Sequence, residues 1–117
     1  MRHKKKTKIL DRKTGPRKAL IKNLAGQVVL FEKVKTTKAK AKVVKSYLEK
    51  LITKSAKNEL NTKRYLKTKL NSDNAIKKLL EVFGPRYKDR KGGYLKIVKA
   101  ENRRGDGAEM AYLIFTK

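Results

Sequence analysis

The chain has no cysteine, no tryptophan, one histidine and two prolines in 117 residues, and only ten carboxylates stand against 34 lysines and arginines. Each shortage removes a class of protein. Without cysteine there is no disulfide framework, no thiolate zinc site and no thiol nucleophile, a composition that fits a reducing compartment. The sole histidine, His3, lies in a run of lysines; no metal-spaced histidine set and no glycine-rich phosphate loop accompanies it. No catalytic residues, metal or other cofactor, or small-molecule substrate is therefore expected. Long apolar runs are also missing. The longest, Met110 to Phe115, falls far short of the roughly 18 residues a membrane span needs. Met1 to Lys8 is basic but leads into no apolar stretch, so neither a signal peptide nor a membrane partner is expected and the location should be cytoplasmic.

What is present in excess is positive charge. A net charge of +24 is about three times the upper end of the roughly 2–8 that suits solubility in a small domain. Self-repulsion on this scale opposes compactness, and a polyanion that binds the folded state offsets it. A nucleic acid is the expected partner. The length corresponds to one domain of ordinary size.

Residues 1–14 carry eight basic side chains, His3 included, and one acid. They read as a basic arm that orders against phosphates, leaving 15–117 as a single globular domain. Thr14 and Pro16 signal a helix start, and Leu20, Leu24 and Val28, widened by Ala25 and Phe31, give an apolar stripe over about 16–31. Residues 32–37 alternate around Val34 and read as a strand. Thr37 caps a helix over 38–57 whose stripe is Ala41, Val44, Tyr47, Leu48, Leu51, Ile52 and Ser55. Lys38 with Lys42, and Lys50 with Lys54, are like-charge pairs one turn apart, mutually repulsive until an anion sits between them. Asn61 and Thr62 cap a short helix over 63–70, and Ser72 caps another carrying Ile76, Leu79, Leu80 and Phe83, with Gly84-Pro85 read as its stop signal.

Beyond a basic loop, 94–100 and 109–115 are strand-like, and Asp106-Gly107 between them marks a hairpin turn with Arg103 and Arg104 at its tip. The fold class that follows is a two-layer α/β (α+β) arrangement: helix, strand, three helices, two strands, with a small three-stranded sheet packed against helices. Arg104-Gly105-Asp106 is read as part of the turn, and Asp106 and Glu109 as ordinary ion-pair partners of nearby arginines. Gly92-Gly93 fits either a flexible turn or a close approach of backbone to phosphate.

The charge is spread over arm, helices and loops rather than gathered on one recognition helix. That distribution suits a protein embedded among folded RNA helices better than a sequence reader of DNA. The aromatic residues fall mostly on apolar stripes, which argues against a single-strand stacking platform. An architectural DNA-compacting protein is the alternative, with a catalytic RNA-processing factor more distant.

From end to end the chain resembles the bacterial large-subunit ribosomal protein seventeen family. The resemblance runs through Met1-Arg2-His3, Leu10 with Arg12, Arg17-Lys18-Ala19-Leu20, Asn23-Leu24-Ala25, Thr36-Thr37, Lys40-Ala41-Lys42 and Leu51-Ile52-Thr53. It is most specific in Gly84-Pro85-Arg86-Tyr87, Arg90-Lys91-Gly92-Gly93-Tyr94, Arg104-Gly105-Asp106 and Met110-Ala111-Tyr112. Pro16 and Phe31 stand where family members commonly have histidine, so imidazole contacts are not carried over to those places. The resemblance implies a structural, non-enzymatic constituent of the large ribosomal subunit. It further implies binding to large-subunit ribosomal RNA near the exit of the nascent-peptide tunnel, beside neighbouring large-subunit proteins.

The expected RNA-binding residues fall in two sets. Arg2, His3, Lys4, Lys5, Lys6, Lys8, Arg12, Arg17, Lys18 and Lys22 form the first; Lys38, Lys40, Arg64, Arg86, Arg90, Lys91, Arg103 and Arg104 form the second. Arginine is favoured because its planar fork holds one phosphate with two hydrogen bonds.

Overall fold

The computed structural model describes residues 14–57 and 59–116. The expected arm contacts Arg2, His3, Lys4, Lys5, Lys6, Lys8 and Arg12 lie outside the described residues. The elements are α1 (Thr14–Phe31), β1 (Lys33–Thr37), α2 (Lys38–Ser55), α3 (Leu60–Lys69), α4 (Asp73–Lys78), a π-helical turn (Leu79–Phe83), α5 (Gly84–Arg86), β2 (Leu95–Lys99) and β3 (Met110–Phe115). The expected α+β class and its three-stranded sheet are both present. β3 runs between β1 and β2, antiparallel to each.

Alternation along the strands sends one face of the sheet into the core. Ala111, Leu113 and Phe115 are buried there, with Val34 and Ile97 packed alongside. The helices cover that face. α2 carries the main stripe, with Ala41, Val44, Leu48, Leu51, Ile52 and Ser55 all buried. Its start is as expected: Thr37 accepts a hydrogen bond from the Lys40 N–H at 3.4 Å. Ser72 does the same for α4 through the Ala75 N–H at 3.3 Å.

Three expectations are corrected. Gly84-Pro85 does not stop the helix. Gly84 has φ −55° and continues helical after a π turn whose widened coil is closed by the Gly84 N–H on the Leu79 carbonyl. In a regular α-helix the Pro85 ring would meet the carbonyl four residues back, and the extra residue of the π turn accommodates it. The helical path therefore runs on to Tyr87, whose ring joins Phe83, Phe115 and Tyr94; Phe83 and Phe115 stack at 4.0 Å.

Phe31 is not part of the α1 stripe. It is 70% exposed, while Val29 fills the core position at 0%. The helix ends at Phe31 because Glu32 takes φ 62° and turns the chain into β1. Finally, Asn61 and Thr62 do not cap α3, which opens at Leu60 with Glu59 as a cap that makes no side-chain hydrogen bond. Both sit instead in the first turn, where N–H groups need no intrahelical partner.

Candidate nucleic-acid interface

The N-terminal half of α1 packs Ile21, Leu24 and Ala25 against the core, with Arg17 and Lys22 half-buried beside them and Lys18 exposed. Lys18 and Lys22 reach a cleft of about 240 Å³ that they share with Ile21, Tyr47, Thr68 and Lys69. Its floor is fixed by Tyr47, whose hydroxyl donates to the Lys69 carbonyl at 2.5 Å. Burial, then the neighbouring Tyr65, pushes Tyr47 up to about 12, so the hydroxyl keeps its proton and remains a donor. Three lysines, Lys18, Lys22 and Lys69, thus line one groove between α1 and α3. Lys69 is a member that the sequence reading did not include.

A second cationic cleft, of about 410 Å³, opens at the start of α2 between Thr37, Lys38, Ala39, Lys42, Ala108 and Glu109. The first turn of α2 contains no acidic residue, so the positive end of the helix dipole adds to Lys38, Lys40 and Lys42. Glu109 lies 3.8 Å from Lys38 with both side chains well exposed, an arrangement that screens little of this field. The repulsive Lys38–Lys42 spacing foreseen in the sequence therefore faces an open cleft.

The remaining expected contacts divide by what they touch. Arg64 on α3, Lys91 in the loop after α5 and Arg104 at the hairpin tip are exposed, and their side chains make no hydrogen bond or ion pair among the described residues. Arg86 is exposed but has neighbours of its own. Its guanidinium lies 3.6 Å from the Glu32 carboxylate and 4.9 Å from the centre of the Phe83 ring. Arg90 donates from Nε to the Gly92 carbonyl at 3.1 Å. The Gly92-Gly93 segment is a turn tied to the sheet, with Gly93 at φ 65° and its carbonyl accepting from Thr116 at 3.2 Å.

Arg103 is bound bidentately by Asp106, Nε at 3.1 Å and Nη2 at 2.6 Å. Those hydrogen bonds, with one from the Ala108 N–H, hold the Asp106 carboxyl well below its usual range, at about 2. Arg103 therefore braces the turn, and Arg104 beside it projects from the tip.

Sequence reasoning also passed over Lys33, Lys35 and Lys96, which stand exposed on the sheet face turned away from the helices. The signal was available: Lys33 and Lys35 flank Val34 in strict alternation.

A family model for ribosomal protein L17 matches residues 20–116. The chain belongs to the ribosomal protein L17 family. Among relatives named large ribosomal subunit protein bL17, that of Rickettsia bellii is 46% identical over 115 residues, spanning 98% of this chain and 81% of the relative. The proteins of Campylobacter concisus and Nautilia profundicola are each 44% identical, covering 97% and 98% of this chain and 96% and 98% of their own lengths. The L17 match begins at Leu20 and takes in both cationic clefts apart from Lys18. Among the described residues of this L17 family member, no helix is long and apolar enough to cross a membrane.

Proposed function

We propose that this L17 family member is a structural constituent of the large ribosomal subunit that binds ribosomal RNA by neutralising closely approaching phosphates, near the exit of the nascent-peptide tunnel. It acts without catalysis, cofactor or small-molecule substrate. The observation that carries the reading is the pair of lysine-lined clefts, one between α1 and α3 and one at the start of α2, set in a chain of net charge +24. Ion pairs tie Lys38 to Glu109, Lys78 and Arg86 to Glu32, and Arg103 to Asp106. They leave most of the surplus without counter-charge, which RNA backbones supply.

The mechanism is physical. Each lysine or arginine that meets a phosphate releases a condensed counterion, and RNA helices that repel one another then pack against opposite sides of the protein. Residues 1–14 extend this as a basic arm beyond the globular domain of 15–117, and neighbouring large-subunit proteins pack beside it at the tunnel rim. Sedimentation of the endogenous protein from a gently lysed cell tests the assignment. Co-migration with the large ribosomal subunit is the expected result; recovery with the nucleoid would replace it with DNA compaction.

A further inference from the structure

The helices lie on one face of the sheet and leave the other face open. The strand register sets out that open face in rows: Lys33, Ile114 and Lys96 across the sheet, then Lys35, Tyr112 and Val98. Lys33, Lys35, Lys96 and Val98 are exposed, and Ile114 and Tyr112 are half-buried. No Asp or Glu occurs in any of the three strands. Lys33 and Lys35 thus flank Tyr112, Lys96 shares the face from the far strand, and the strands carry no carboxylate to pair with them.

The tyrosine hydroxyls divide into two groups. The hydroxyls of Tyr47, Tyr87 and Tyr94 each donate to a main-chain carbonyl. The hydroxyls of Tyr65 and Tyr112 make no hydrogen bond among the described residues; Tyr65 lies on α3 beside Lys54 and Lys69, whereas Tyr112 stands on the open sheet face. What the Tyr112 ring meets is cationic: the Lys33 ammonium lies 4.6 Å from the ring centre and that of Lys35 6.0 Å away. Such contacts at an exposed site are weak and readily exchanged.

We propose that this open face is a second RNA-binding surface, which holds an unpaired stretch of RNA with a base stacked on Tyr112 and phosphates on Lys33, Lys35 and Lys96. The inference rests on the RNA-binding reading above and adds to it the kind of RNA and the place. Lys33 and Lys35, two residues apart on an edge strand, are separated by about 6.7 Å, and Lys96 lies two strands over, roughly 10 Å away. A phosphate chain can thread these cations while a base replaces the Lys33 ammonium on the ring.

Chemistry favours an unpaired strand over the alternatives. In a duplex the base faces are stacked on one another, so an aromatic ring at the centre of a flat sheet has no base to meet. The cores of protein–protein interfaces are depleted in lysine, and a protein docked here would bury three ammonium groups that the face cannot pair. Stacking on an aromatic side chain tolerates any base and is strengthened by flanking cations.

The test uses the full chain, a dye-labelled single-stranded RNA octamer and a labelled RNA duplex, with affinities measured by fluorescence anisotropy at fixed salt. Tyr112→Leu, with folding checked by circular dichroism, should weaken single-strand binding roughly 5- to 150-fold. Duplex binding should be unchanged, and Tyr112→Phe should retain single-strand affinity. Independently of the ring, the variant carrying Lys33→Gln, Lys35→Gln and Lys96→Gln should flatten the log–log salt dependence of single-strand binding by about 2, at roughly 0.7 per phosphate.

Single-strand binding unaffected by both variants, with duplex binding intact, overturns the assignment of this face and leaves the broader RNA-binding reading standing. Binding to neither RNA by the native chain overturns both. Single-strand binding unaffected by Tyr112→Leu, combined with poorer incorporation into large subunits, identifies the face as a protein contact and likewise defeats the proposal.

Discussion

Gly84 packs directly against the main chain of Ser55: a Cβ at position 84 would stand 2.5 Å from the Ser55 carbonyl oxygen and 3.2 Å from that of Leu79. The glycine is there for close approach and not for a turn. This contact lets the end of α2 cross the π turn, and it aims the continuing helix so that Tyr87 reaches the aromatic cluster with Phe115. Ser55 is suited to its side of the contact, being small, buried and self-satisfied, its hydroxyl donating to the Ile52 carbonyl at 2.8 Å.

Gly84→Ala should accordingly destabilise the fold by about 1–3 kcal/mol, the usual cost of forcing extra volume into a packed interior. Urea unfolding followed by circular dichroism measures it. A midpoint equal to that of the native chain would show that the two backbones can separate without cost.

Glu32 combines a left-handed φ of 62° with ion pairs to Lys78 at 3.2 Å and Arg86 at 3.6 Å. Its side chain is nearly half exposed, so each pair contributes little, about 0–1 kcal/mol. The strained backbone costs roughly 1–2 kcal/mol for any residue with a Cβ. Glu32→Gly should therefore be more stable than Glu32→Gln, although both lose the charge. Thermal melts of the two variants decide the order, and a lower melting temperature for the glycine variant would contradict this account of the corner.

The Arg103–Asp106 pair fixes a pH window. Asp106 is lowered from an ordinary 3.8 to about 2 when folded. A depressed carboxyl stabilises the turn fully above its unfolded value and loses that contribution as pH falls through the folded one. The hairpin tip should thus stay intact at neutral pH and loosen only between about pH 4 and pH 2, visible in the Arg103 Nε–H resonance. Asp106→Asn should release Arg103 at every pH and steepen the salt dependence of RNA binding by close to one phosphate. An Arg103 resonance unchanged down to pH 2 would contradict the assignment.

Much of the fold was legible because its signals are local. The three-four spacing from Ala41 to Ser55, the Thr37 and Ser72 caps, and the Asp106-Gly107 turn each depend on near neighbours. What misled the reading depends on distant partners. Gly84-Pro85 stands for either a stop or a close approach, and only Ser55, far away in the chain, decides between them. The neighbours of Arg86, the Glu32 carboxylate and the Phe83 ring, could not be read from its own stretch of sequence either. Lys33 and Lys35 were legible as one face of a strand; that this face is the open one follows only once all the helices pack on the other. The sites themselves were half legible, since a lysine can be placed on a helix face from its period, but Lys69 joins Lys18 and Lys22 only across the α1–α3 groove.

Removal of residues 1–13, up to the start of α1, should leave the described core folded, because its buried side chains all lie between Leu24 and Phe115. RNA affinity at physiological salt should fall sharply as the arm's cations are lost. Equal affinity of the truncated and full-length chains would remove the arm from the mechanism.

The central claim is that surplus cations act by replacing counterions on ribosomal RNA. Its most direct test is the affinity of the full chain for large-subunit RNA measured across a salt series. With six to ten phosphates engaged, log K should fall linearly with log salt at a slope between about −4 and −9. A slope shallower than about −2, with tight binding retained, would show that something other than phosphate neutralisation holds the protein to its RNA.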